Sequence, residues 1–184
     1  MASVSLEQVA DLLRGAMSPS PDIRSEAERM LEGTMQQANL LTLLQVIGGR
    51  DVELDLKQIA AIYLKNSIKR QWYSGVLDAS LKPPMTSQLL QLVPAVPAAV
   101  QDQLLECLRV SIQEHTSPDV VKQIVMWLEA GNSGETVMAA LKVMRIVARK
   151  YEYRDGEDVA ELDAIVAAVF PKLVDVFHAG LADV

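Results

Sequence analysis

Residues 54–72 read LDLKQIAAIYLKNSIKRQW, and this stretch decides how the rest of the chain is read. Leu56, Ile59, Ala60, Tyr63, Leu64 and Ile68 recur at the three- and four-residue steps of an α-helix, which predicts a helix from Leu54 to about Trp72 with one broad apolar face. Lys57, Lys65, Lys69 and Trp72, at intervals of 8, 4 and 3 residues, form a second stripe, with Asn66 beside it. So wide an apolar face draws its stability from packing against other elements.

The same period continues on both sides. Upstream, Leu6, Val9, Leu12 and Leu13 mark a helix over about Ser5–Met17, which Ser18-Pro19-Ser20-Pro21 ends. Ser20 as cap and Pro21 at the first helical position open a second, with Ile23, Ala27, Met30, Leu31 and Met35 on its stripe. Asn39 is placed to cap a short third helix, which Gly48-Gly49 stops. Downstream, Ser74 to Pro84 reads as a loop closed by Pro83-Pro84, and Met85–Leu92 as a short helix broken by Pro94 and Pro97. Helices follow over about Ala98–Glu114, from the Ser117 cap with Pro118, and from Gly134 after the Gly131-Asn132-Ser133-Gly134 turn. The last apolar pattern, Val159–Leu181, contains Pro171, where a kink or break is expected. Strand alternation is missing from the sequence, and its Asp-Gly pair, Asp155-Gly156, reads as the end of the helix from Gly134 rather than as a hairpin turn.

The longer, second helix of each pair begins near Ser20, Leu54, Ala98 and Gly134, at steps of 34, 44 and 36 residues. That spacing fits helix-pair repeats of the HEAT or armadillo type. The expected fold is all-α: a right-handed α-α superhelix, or solenoid, of helical hairpins with about four and a half repeats. Each pair buries its apolar face against the next, and the second helices share one side of the stack.

Composition narrows the function. The chain has 184 residues, 24 acidic against 17 basic side chains and a net charge of -7, which argues against nucleic acid as a direct partner. Its apolar runs fall short of the roughly 18 residues a membrane span needs, so no membrane insertion is expected. One cysteine, Cys107, permits no internal disulfide. Flanked by Leu104 and Leu108, it reads as a small core residue. His115, at a helix end, suits the helix C-terminus better than general-base catalysis. Glu157, Asp158, Glu161 and Asp163 suit the start of the last helix better than a metal site. With no phosphate-cradling glycine loop either, the expectation is a non-enzyme without cofactor or metal.

The polar faces of the second helices are more informative. Besides Lys65, Asn66 and Lys69, the chain offers Arg109 and Gln113 one turn apart, and Lys142, Arg145 and Arg149 at intervals of 3 and 4. A solvated face accounts for one such stripe. On a solenoid the stripes stand side by side, and long cationic donors there would grip an acidic or polar partner. Beyond Trp72 and Tyr73 the stripe shows no aromatic stacking platform for RNA.

Residues 58–72, QIAAIYLKNSIKRQW, resemble the signature helix of the importin-β (karyopherin) N-terminal domain. Ile23–Leu31, with Glu26-Ala27-Glu28 before Met30-Leu31, resembles that domain's preceding helix. Leu12–Met17 and Val147–Tyr153 resemble the importin seven/eight branch. The resemblance implies the N-terminal HEAT-repeat segment of a nuclear transport receptor, with the importin-β N-terminal domain at about 20–100 and a chain shorter than the family's receptors, truncated at its C-terminus. It implies a monomer that binds the small GTPase Ran in its GTP form, mediates protein import, and shuttles between nucleus and cytoplasm through the nuclear pore. Cargo and nucleoporins would bind mostly through later repeats. By position the resemblance carries Lys65 and Asn66, and Lys69 as an extension, into the Ran-binding set. Arg109, Gln113, Lys142 and Arg145 join that set from the stripe geometry. A HEAT scaffold without a GTPase partner, and an export receptor of the same superfamily, are the alternatives.

Overall fold

The structure, a computed structural model, describes residues 4–34, 37–113, 116–129, 133–152 and 158–182. All regular structure among them is helical: α1 (Leu6–Ala16), α2 (Pro21–Thr34), α3 (Gln37–Gly48), α4 (Leu54–Gln71), α5 (Lys82–Leu92), α6 (Ala98–Ile112), α7 (Pro118–Trp127), α8 (Gly134–Lys150) and α9 (Asp158–Ala182). The all-α, helical-hairpin class expected from the spacing is the class observed. The starts of α2, α4, α6 and α8, at Pro21, Leu54, Ala98 and Gly134, coincide with the positions read from the sequence. The chain forms two compact units, Met1–Cys107 and Leu108–Val184, with the boundary inside α6.

In the first unit α1 packs on α2 and α3 on α4, while α1 also reaches α3 and α4, and α3 reaches α5. Local chemistry sets the helix ends. The Ser5 hydroxyl accepts the Gln8 N–H at 3.2 Å and the Gln8 side chain accepts the Ser5 N–H at 3.0 Å, closing a capping box on α1. Leu13, Leu31, Leu40, Leu43, Ile47, Leu56, Leu64, Ile68, Met85, Leu89 and Leu104 have essentially no exposure and form this unit's core. Each such side chain contributes about 1.5–3 kcal/mol relative to an exposed one. After α4 the chain turns at Gly75, whose φ of 75° lies in the left-handed region that glycine enters without a steric penalty. The buried Trp72 secures this corner, with the Lys82 ammonium 5.3 Å from its ring centre.

In the second unit α7 packs on α8 and on α9. The Ser133 hydroxyl accepts the Thr136 N–H at 3.3 Å and starts α8. Lys150, at the other end of α8, is buried. Its ammonium donates to the Thr116 hydroxyl at 3.2 Å, lies 3.7 Å from a Glu161 carboxylate oxygen, and sits 5.0 Å from the centre of the Tyr151 ring. Thr116 and the Tyr151 hydroxyl are 3.3 Å apart. One ammonium therefore joins the approach to α7, the end of α8 and the first turn of α9.

Several local expectations are corrected. Pro83 and Pro84 do not close the loop. They lie in the first turn of α5, after a 3₁₀ turn at Ala79–Leu81, where a missing N–H removes no intrahelical bond. Asn39 is not a cap: α3 starts at Gln37 and places Asn39, buried, in its first turn. Ser117 is the N-cap of α7, but its side chain makes no capping bond. α9 continues through Pro171 without interruption. Pro171 is exposed there. On α2, Ala27 and Leu31 are buried, whereas Ile23 and Met30 face out. The expectations that fell on Met35, His115, Gly131, Asn132, Tyr153 and Glu157 lie outside the described residues.

Candidate functional site

The signature helix, α4, follows its sequence pattern in part: Ile59 and Tyr63, read as core, are only half-buried, while Trp72, read with the lysine stripe, is buried together with Ala61 and Ser67. Leu56, Ala60, Ala61, Leu64 and Ile68 go into the core, and Asn66, Lys69 and Arg70 come to the surface. With Tyr63 and the α2 residue Glu32, those three line a cleft of about 390 Å³. One wall is cationic, from Lys69 and Arg70. The other is acidic: Glu28 and Glu32 of α2 add to burial, the larger cause, in raising the Tyr63 hydroxyl above the usual tyrosine range. Asn66, on α4 one turn before Lys69 and Arg70, also lines the cleft and can both donate and accept.

Lys65, half-buried, lies toward α6, where its charge and that of Lys69 bear on Cys107. Cys107 is fully buried, as read from the sequence. Burial pushes its thiol up to about 12, against the opposing pull of the two lysines, so it carries no thiolate at neutral pH. Lys69 reaches across to α6 and forms an ion pair with Glu106 at 3.3 Å. Both side chains keep substantial solvent contact, 48% and 34%, so the pair is weakly held, on the order of 0.2–1 kcal/mol.

The first unit therefore brings Asn66 and Lys69 together around one cleft, with Lys65 beside it facing α6. The other candidates lie in the second unit as two pairs: exposed Arg109 and Gln113 at the end of α6, and half-buried Lys142 and exposed Arg145 on α8. Arg70, Glu32 and Glu106 were not singled out from the sequence. Arg70 is adjacent to Lys69, but Glu106 is 37 residues away, and helical period carries no signal for a pairing at that distance. The described residues contain no group of three or more His, Cys, Asp or Glu arranged to hold a metal ion, and no helix long and apolar enough to cross a membrane.

The packed helical pairs α1–α2, α3–α4 and α7–α8 are of the kind that HEAT repeats use, and comparison with known proteins extends this reading. Residues 27–110 match the profile of the importin-beta N-terminal domain. An importin beta-like SAD2 homolog of Arabidopsis thaliana is 32% identical over 89% of this chain and 16% of its own length. Importin-8 of Danio rerio is 27% identical over 96% of this chain and 18% of its own. Among solved structures, the exportin Cse1 in its cargo-free, cytoplasmic state superposes with a TM-score of 0.83 at 22% identity, over 94% of this chain and 20% of that one. A structure in which Kap95p binding switches the loops of RanGDP to the GTP-bound conformation superposes with a TM-score of 0.67 at 16% identity, over 83% and 20%. Residues 27–110 carry the importin-beta N-terminal domain, and nearly the whole chain is similar to importin-β-type proteins. It spans less than a fifth of the length of these two curated relatives.

Proposed function

We propose that this chain is the N-terminal, Ran-GTP-binding part of a nuclear import receptor. The observation that carries the reading is the cleft on α4, where the segment resembling the family's signature presents Asn66, Lys69 and Arg70 together. The importin-β N-terminal domain corresponds to about residues 20–100. Lys65, Asn66 and Lys69 form the first contact with Ran; Arg109, Gln113, Lys142 and Arg145 extend it from the second unit. The chain performs no catalysis. Its charged and amide donors bind the GTP-state surface, and through longer-range coupling the bound Ran lowers the receptor's affinity for cargo. Cargo and nucleoporins bind through other repeats, and the receptor shuttles as a monomer between cytoplasm and nucleus through the pore.

Titration with Ran loaded with a non-hydrolysable GTP analogue, and with GDP, tests this. The GTP form is expected to bind at least tenfold more tightly. The double variant Lys65→Glu/Lys69→Glu is expected to lose at least tenfold, about 1.4 kcal/mol, with its circular dichroism unchanged. Equal binding of the two nucleotide states favours the scaffold reading, and an unchanged double variant removes the site. An export receptor makes the same contact with Ran but binds cargo more tightly in its presence, so the sign of that coupling separates export from import.

A further inference from the structure

Each helix of the first pair buries only part of its apolar residues. Val9, Leu13 and Ala16 of α1 and Ala27 and Leu31 of α2 are buried, whereas Leu6, Ile23 and Met30 are 46%, 56% and 44% exposed. The two helices approach closely at Gly15, where an added Cβ would meet the Ala27 Cβ at 2.9 Å. Along this seam runs a groove of about 780 Å³, with Leu12, Ile23 and Met30 among its apolar lining. Its polar edge has one sign: Asp11, Asp22 and Glu26 line it, and no lysine or arginine does. Arg14 and Arg29 pair with Asp11 and Glu26 along their own helices, each at 2.9 Å, and neither lines the groove.

We infer that this groove docks a basic amphipathic helix of a partner protein. Its apolar stripe would lie on Leu12, Ile23 and Met30, and flanking Lys or Arg would meet Asp22 and share Asp11 and Glu26 with Arg14 and Arg29. The dimensions fit: α1, with 11 residues, is about 16 Å long, the length of a three-turn helix laid along it. Charge selects the occupant. Residues 4–34 carry six carboxylates against three arginines, and the chain's net charge is -7, so a second copy would set like charges on the rim. None of the seven residues assigned to Ran lines the groove, so this inference does not depend on that reading.

The test is an anisotropy titration of the full chain with a labelled 14-residue helix-forming peptide bearing Leu at i, i+3, i+4 and i+7 and Lys on its flanks. Saturable binding below ~1 mM is expected. Ile23→Lys/Met30→Lys should weaken it at least tenfold, and Asp22→Lys/Glu26→Lys several-fold. All four side chains are exposed, so the fold should survive, as circular dichroism would verify. Lys65→Glu/Lys69→Glu should leave peptide binding unchanged. The inference is overturned by absence of binding, by equal binding of a peptide with Leu replaced by Gln, by indifference to Ile23→Lys/Met30→Lys, or by sedimentation showing a dimer that those substitutions dissolve.

Discussion

Two lysines, one in each unit, face a glutamate from another helix. Lys69 meets Glu106 at 3.3 Å with both partners substantially exposed. Lys150 meets Glu161 at 3.7 Å with its own side chain only 2% exposed, and also holds Thr116 and lies against Tyr151. The shorter pair is the more dispensable one. Water already solvates Lys69 and Glu106, so separating them costs little and either can turn to a partner. Lys150 has exchanged water for a set of protein groups, and its removal leaves those groups without replacement. The depth of an ion pair, more than its length, separates a binding group from a structural one.

The sharpest test of this contrast is Lys150→Ala, expected to lower stability by about 2–3 kcal/mol as the buried hydroxyls lose their donor and a void remains. A urea titration followed by circular dichroism measures it; a loss under 1 kcal/mol would erase the distinction. Next is Glu106→Gln. Releasing Lys69 from its counter-ion should tighten Ran-GTP binding about two- to threefold if Lys69 is a contact, with a weaker gain at high salt. Weaker binding in this variant would mean that Glu106 itself meets the partner. The smallest effect belongs to Lys69→Ala, whose stability should stay within about 0.5 kcal/mol of the parent in the same titration.

Much of the fold was legible because its punctuation is local. Pro21, the turn before Gly134 and the apolar steps from Leu54 and Ala98 set helix starts that the structure reproduces within a residue. What misled was punctuation with two meanings. Pro83-Pro84 can end a loop or open a helix, and Pro171 can break a helix or sit within a continuous one. Periodicity also identified the apolar side of α2 without saying what covers it, so Ile23 and Met30 read as core although they line an open groove. At the candidate site, spacing brought Asn66 and Lys69 to the surface of α4 but misplaced Trp72, which is buried, and Tyr63, which lines the cleft. Glu106 was not readable, because its meeting with Lys69 depends on how α4 and α6 come together, which no local pattern records.

Cys107 lies on α6 one residue after Glu106, with its sulfur sealed from solvent and its proton firmly held. A thiol reagent in neutral buffer can modify it only during moments when the helices part. The rate at which this lone sulfhydryl disappears therefore clocks how often the wall behind the cleft breathes, and a ligand that clamps α4 to α6 should slow that clock without touching the sulfur.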